Sequence, residues 1–174
     1  MKKIITAFAL MFVVFCTKGQ SSERFIYAAT IGTGFPMNEP AYTPFTVHVL
    51  GYYRISERFS AGGGTGLSFY EMTLIPVFAD AKFALTQTRK FVPYVECGIG
   101  YAFAPNGNAN GGFYLYPSLG VQYALSGKMK LQLAAGYELQ QAERLKKHTN
   151  DYLTAHFAEK LIHHTLCVKI GVVF

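Results

Sequence analysis

Apolar and polar residues alternate along most of this chain from about residue 24 to its end. In the last nine residues, from Leu166 to Phe174, every even position is apolar and the odd positions are smaller or polar until Val173. Alternation with a period of two is typical of β-strands that present one apolar face. The pattern predicts eight such strands, at residues 24–35, 45–55, 59–70, 74–85, 91–103, 112–125, 130–140 and 161–174.

The two faces of the predicted strands differ in composition. Residues of one parity are apolar and carry no charge, as at Val49, Leu133 and Val168. A soluble β-sandwich would bury such a face and expose its charges, whereas a membrane barrel turns its apolar face to lipid and encloses polar residues. The opposite parity holds most of the strand glycines and the charged residues Arg54, Asp80, Lys82, Glu96, Glu138 and Lys169. The fold class predicted is therefore all-β, an eight-stranded antiparallel up-and-down transmembrane β-barrel.

The connections support this topology and define its two ends. Turns near residues 56–58, 86–90 and 126–129 are short, whereas 36–44, 104–111 and 141–160 are longer. Outer-membrane barrels have short periplasmic turns and longer external loops, so we expect both termini on the periplasmic side. We also expect a bulge or a strand end at Pro76 and at Pro117, because proline cannot donate to a strand ladder.

The first 20 residues have a different character. Lys2 and Lys3 precede an apolar run of 13 residues, which suits a secretory signal and is shorter than the ~20 residues of a spanning helix. We expect cleavage near Gln20, which divides the chain into a signal peptide (1–20) and a barrel domain (21–174). A lipoprotein signal acylated at Cys16 is the alternative, although Phe15 stands where a small residue is usual.

The net charge is modest once the signal is removed. The chain has 16 Lys and Arg residues against 10 Asp and Glu residues, and Lys2, Lys3 and Lys18 lie in the signal, so the rest carries +3. This charge is too small and too scattered along the sequence to indicate nucleic-acid binding. Over half of the residues, 51%, are hydrophobic, and this apolar surface needs a lipid environment or a core.

The inward-facing charges predict an ion network in a filled lumen, since eight strands enclose only enough space for side chains. Short turns would place Asp80 beside Glu96, with Lys82 in the next row. Paired carboxylates can support acid–base chemistry, but neutralisation by Lys82 and Arg54 in a structural network fits better. The predicted network comprises Arg54, Asp80, Lys82, Glu96, Glu138 and His163.

Two other functions are weighed. Tyr116, Glu138 and His163 fall in one inward row near the external rim, which leaves a lipid-modifying enzyme as an alternative. Such a hydrolase needs a serine beside a histidine, and none lies two residues from the strand histidines, so we expect no catalytic residue. A soluble, lipocalin-like periplasmic carrier is the third hypothesis, but a charged, glycine-lined interior does not suit an apolar ligand.

The histidines do not predict a metal site or a cofactor. His163 and His164 are adjacent in a strand and point to opposite faces, and His148 and His156 lack ligand spacing. The last connection, 141–160, mixes basic and apolar residues and could include a short amphipathic helix. Its predicted contact residues, for lipopolysaccharide phosphates or another external partner, are Arg144, Lys146, Lys147 and Tyr152.

Several segments resemble a known family. They are TLIPVFAD at 73–80, FVPYVECGIGYAF at 91–103, YYRISERF at 52–59 before a glycine-rich strand, and Gly136-Tyr137-Glu138. Together they resemble the small outer-membrane β-barrel domain of porin-family proteins over the whole mature chain. The resemblance implies an eight-stranded barrel of a Gram-negative outer membrane, a C-terminal strand read by the barrel assembly machinery, and no shared catalytic residue. Lys169 departs from the family pattern, because a glycine is common there.

Overall fold

The computed structural model describes residues 24–39, 41–87, 90–105, 109–126, 129–150 and 153–174. The predicted signal peptide and Cys16 lie outside these residues. The described residues form nine β-strands: β1 (Phe25–Pro36), β2 (Phe45–Arg54), β3 (Phe59–Phe69), β4 (Thr73–Ala84), β5 (Phe91–Phe103), β6 (Ala109–Asn110), β7 (Gly112–Ser126), β8 (Met129–Asn150) and β9 (Leu153–Val173). No helix in these ranges is long and apolar enough to cross a membrane.

Eight of these strands close into an antiparallel barrel. Each long strand pairs with the next one along the chain, and β9 returns to pair with β1 from Ala28↔Val173 to Pro36↔Thr165. Beyond the ladder, the backbone N–H of Phe174 donates to the carbonyl of Tyr27 at 2.8 Å. The two-residue strand β6 adds only a short extension beside β8. The predicted up-and-down barrel is confirmed.

The predicted division into faces also holds. Outward-facing Val49, Leu133 and Val168 have exposed fractions of 40%, 48% and 45%, although they are large apolar residues. The charged side chains of Asp80, Lys82, Glu96, Glu138 and Lys169 are buried in the lumen. Since side chains alternate along a strand, one apolar belt covers the whole circumference and the polar set lies inside.

The two prolines neither bulge nor end their strands in the described pairings, so that expectation was wrong. The β3–β4 pairing stops at Thr65↔Val77 and resumes in the same register at Ser68↔Leu74, on either side of Pro76. The β7–β8 pairing is interrupted in the same way around Pro117. The missing N–H of proline interrupts the ladder locally, while the long flanking pairings maintain the register.

The last connection is a hairpin and not a loop or helix, which corrects the prediction for 141–160. β8 and β9 stay paired from Gln141↔Ile162 to Asn150↔Leu153. Opposite charges face each other in the register at Glu143↔Lys160 and Arg144↔Glu159, a pairing that favours adjacent antiparallel strands. The apolar alternation ends where the strands leave the barrel. The two strands stay paired there because backbone hydrogen bonds do not depend on which side chains alternate.

Candidate functional site

The lumen is filled by side chains that glycines allow to enter. Tyr52 lies opposite Gly62, and a Cβ at Gly62 would approach the carbonyl oxygen of Gly51 to 1.9 Å. The ring of Tyr94 lies against Gly120, where a Cβ would be 2.4 Å from its Cζ. Both tyrosines are buried. Glycine is therefore required at these positions, because a Cβ would overlap the neighbouring strand or the ring of a tyrosine.

The register of β4 differs from the one that the short turns suggested. β4 is displaced by two residues relative to both neighbours, so Lys82 lies opposite Glu96, and Asp80 lies opposite Gly62 and Gly98. The predicted row that paired Asp80 with Glu96 is therefore wrong. A shift of two residues keeps the same side chains inside, so the sequence pattern could not detect it.

Lys82 is the centre of one lumen cluster. Its Nζ lies 2.8 Å from Glu96 Oε2 and donates to Gln132 Oε1 at 3.2 Å. It also lies 4.6 Å from the ring centroid of Tyr52 and 4.7 Å from that of Tyr94. The buried cation thus has a carboxylate, an amide oxygen and two aromatic faces around it, which together replace its hydration.

Lys169 is the centre of a second cluster, nearer the end that carries the β8–β9 hairpin. Its Nζ lies 2.7 Å from Glu138 Oε2 and 3.4 Å from the ring centroid of Tyr116, and it donates to the Tyr114 hydroxyl at 3.3 Å. The hydroxyl of Tyr70 donates to the other carboxylate oxygen, Oε1 of Glu138, at 2.6 Å. Glu138 is 0% exposed. Both of its oxygens are therefore occupied by structural partners.

Asp80 lies between the two clusters. Its two carboxylate oxygens are buried and have no hydrogen-bond partner among the described residues. A cavity of about 10 Å³ lies beside it, with Tyr116 and Lys169 among the lining residues. That volume corresponds to roughly one water molecule, far below the ~300 Å³ of a typical ligand pocket. The lumen in this part of the barrel is packed and has no room for a carried lipid.

Two residues of the predicted lumen network, Arg54 and His163, do not join the buried ion pairs. Arg54 has the predicted inward parity and lies opposite Ser60, which lies opposite Lys82, but its side chain is exposed at the end of β2. It is therefore not a buried member of the network. His163 is buried, but it lies opposite Gln140 and stacks on Tyr70 at 4.7 Å between ring centroids. Glu138 lies opposite Thr165, so the predicted row of Tyr116, Glu138 and His163 is not formed.

Sequence reasoning missed several partners in these clusters. Gln132 is an inward-facing residue of β8 whose parity could have identified it. Tyr70 lies just after β3, at the last position of the strand predicted at 59–70, where its inward parity could also have identified it. Lys169 was noticed as a departure from a family pattern, and only the fold shows that it pairs with Glu138. Among the described residues, no group of three or more His, Cys, Asp or Glu could hold a metal ion.

The external residues predicted to make contacts lie on the projecting hairpin. Arg144, Lys146 and Lys147 are on β8, opposite Glu159, Phe157 and His156 in the register. Tyr152 lies outside the described residues. Past Arg144 and Thr165, the pairings described for β8 and β9 are only with each other. The hairpin therefore extends beyond the closed part of the barrel.

Solved structures with this architecture are small membrane barrels. The crystal structure of Neisserial surface protein A is similar with a TM-score of 0.57 at 15% identity, over 86% of this chain and 95% of that one. The outer membrane protein AlkL, solved in lipid bilayers, is similar with a TM-score of 0.55 at 11% identity, over 90% and 93%. A designed transmembrane β-barrel has a TM-score of 0.54 at 14% identity, over 89% and 97%.

These likenesses confirm the predicted resemblance at the level of fold. The chain is an eight-stranded closed antiparallel barrel similar to outer-membrane barrels. No family model matches it, and no curated protein sequence matches it closely. Membership of the porin family, the signal peptide and a Gram-negative source therefore stay predictions.

Proposed function

We propose that this protein is an integral outer-membrane barrel with a filled lumen, which acts through its external hairpin in adhesion or binding. The apolar belt supports the membrane location, since Ile31, Val77, Ile99 and Leu119 are each at least half exposed. A soluble protein rarely leaves such a contiguous apolar surface in water. The packed lumen supports a role other than transport through a pore.

The length of the β8–β9 hairpin is the observation that carries the proposed role. The six pairs beyond Arg144, from Leu145↔Ala158 to Asn150↔Leu153, correspond to roughly 20 Å along the strands at about 3.3 Å per residue. The other long strands have 10 to 15 residues, whereas β8 has 22 and β9 has 21. A barrel with a purely structural role does not need a projecting hairpin. A barrel that binds a partner outside the membrane does need an element that projects beyond the wall.

The ligand class we propose for the hairpin is the phosphate of lipopolysaccharide. Arg144, Lys146 and Lys147 occupy one short stretch of β8 beyond the barrel wall. Each basic residue near an anionic membrane surface contributes about 1 kcal/mol to binding. Three such residues would therefore account for on the order of a hundredfold in affinity.

Binding of purified lipopolysaccharide to the protein in nanodiscs tests this role. Replacing Arg144, Lys146 and Lys147 together by Gln should weaken binding on the order of a hundredfold. The matched control, Arg144→Lys/Lys146→Arg/Lys147→Arg, keeps the three charges at the same positions and should leave binding unchanged. Equal binding by the wild type and the hairpin variant would contradict the proposed ligand.

A lipid-modifying enzyme is the second candidate, because His163 and Glu138 both lie in the external half of the lumen. The geometry favours a structural role, since Glu138 is fully buried and bound by Lys169 and Tyr70. Lipid analysis of a His163→Ala strain separates the two functions. An altered lipid profile would support the enzyme, and an unchanged profile would remove it.

A further inference from the structure

Charge that is scattered along the sequence is concentrated at one end of the fold. The end of the barrel that carries both ends of the described chain holds Arg24, Arg54, Arg58, Lys90 and Lys130. Arg24, Arg54, Arg58 and Lys90 are exposed. The acidic residue described there is Glu57. We call this set of five basic residues the terminal rim.

The opposite end and the lumen do not share this excess. At the opposite end, four acidic residues of the described chain stand against four basic ones: Glu39, Glu71, Glu143 and Glu159 against Arg144, Lys146, Lys147 and Lys160. In the lumen, Lys82 and Lys169 are paired with Glu96 and Glu138, and Asp80 adds a further carboxylate. The net positive charge of the described barrel is therefore that of the terminal rim.

The basic side chains of the rim contact the outer aromatic residues. Nη1 of Arg24 donates to the hydroxyl of Tyr53 at 3.3 Å, and Tyr53 is outward-facing and 40% exposed. Lys90 Nζ lies 5.5 Å from the ring centroid of Tyr123. These two contacts are on β1–β2 and on β5–β7, which are on opposite sides of the barrel. Arg24 and Lys90 thus lie on the circumference, where lipid would meet the barrel.

The aromatic residues beside these cations pack on each other in a way that suits a membrane interface. Phe25 packs on Tyr53 with 5.3 Å between ring centroids, and Phe91 packs on Tyr123 with 4.7 Å. Phe25 and Phe91 are 57% and 60% exposed. Aromatic girdles lie at the level of lipid headgroups, and long basic side chains next to them extend towards phosphates.

We propose that the terminal rim binds the anionic headgroups of glycerophospholipids of the phosphatidylglycerol class. This inference rests on the proposed membrane location and concerns the leaflet opposite the hairpin. Guanidinium and ammonium groups bind phosphate oxygens directly, and a headgroup with a net negative charge is favoured over a zwitterionic one. An acidic protein is less suitable as the partner, because Arg24 and Lys90 are held against lipid-facing aromatic rings.

Native mass spectrometry of the full protein released from nanodiscs tests this proposal. The nanodiscs contain phosphatidylcholine with a fixed minor fraction of phosphatidylglycerol, and the lipids retained on the protein are counted. Each basic contact should enrich the anionic lipid about fivefold. The double variant Arg24→Gln/Lys90→Gln should retain the two lipids closer to their bulk ratio. The control, Lys160→Gln, removes an exposed basic charge at the opposite end, outside the proposed hairpin contacts, and should keep the enrichment.

A charge-conserving variant and a second rim variant complete the test. Arg24→Lys/Lys90→Arg should keep the enrichment, which separates charge from side-chain shape. If the first variant does not fold, the mobility of its gel band no longer changes on boiling. In that case Arg54→Gln/Arg58→Gln replaces it. A wild type without enrichment, or equal losses in the rim variant and its control, would overturn the proposal. Failure of the wild type to enter nanodiscs would instead contradict the membrane location.

Discussion

Lys82 of β4 lies directly opposite Glu96 of β5, and the two charged groups are 2.8 Å apart inside the barrel. The side chains are 10% and 8% exposed, so water can solvate neither charge effectively. In such surroundings, each charge depends on the other and on nearby polar groups for its stability. The lumen is therefore a set of mutually dependent side chains rather than a passage.

The second ion pair should be the more sensitive to single substitutions. Removing the charge of Glu138 by Glu138→Gln leaves Lys169 buried without its carboxylate, and breaking a buried pair in this way costs about 3–5 kcal/mol. The midpoint of urea unfolding, read from the gel mobility of unboiled samples, should fall accordingly. The double variant Glu138→Gln/Lys169→Met should recover part of that loss. Lys160→Gln, which alters an exposed residue, is the control and should change stability by less than about 1 kcal/mol.

The glycine positions in the wall predict a contrast between the two faces. Gly120→Ala should destabilise the barrel by about 1–3 kcal/mol, because its Cβ would overlap the ring of Tyr94. Gly51→Ala is the matched control, since the nearest atoms to its Cβ are 3.9 Å away in Tyr27. Gly51→Ala should be neutral or slightly stabilising, because glycine is unfavourable in a strand. Equal unfolding midpoints for the two variants would contradict the packing around Tyr94.

Charged residues on the apolar belt should impair membrane assembly. Arg at Val168 or Leu133 should cost about 2–4 kcal/mol if that face contacts the bilayer midplane. The measurement is the fraction of protein in the outer membrane that shows the heat-dependent gel shift. Gln87→Arg, at an exposed turn position, should assemble normally. Normal assembly of all three variants would exclude lipid from the outer face.

The register of the projecting hairpin can be tested by cross-linking. Thr149 and Thr154 are directly opposite, so the double variant Thr149→Cys/Thr154→Cys should oxidise to a disulfide between these positions. In Thr149→Cys/Ala155→Cys, the second cysteine is one residue out of register with the first, so the link should be several-fold less abundant. Mass spectrometry of peptides identifies the link despite the native Cys97 and Cys167. Similar yields from both variants would show that the segment is not a paired hairpin.

The eight strands and their two faces could be predicted from the sequence because side chains alternate along every strand. The apolar parity that includes Val49, Leu133 and Val168 is outside in the fold, as expected. The limits of this reasoning appear at the ends of the strands. Arg54 shares the inward parity, but parity alone could not show that its side chain stays exposed at the end of β2.

The tertiary structure alone decided which lumen residues meet and where the last two strands end. A shift of two residues leaves every face unchanged, so the sequence is equally compatible with Asp80 or Lys82 beside Glu96, and the ladder selects Lys82. Beyond the barrel rim, no lipid-facing surface imposes an apolar alternation on the projecting part of the hairpin, from Leu145 to Ala158. The hairpin there follows from backbone pairing and from the facing charges at Glu143↔Lys160, which become neighbours only when β8 and β9 are adjacent.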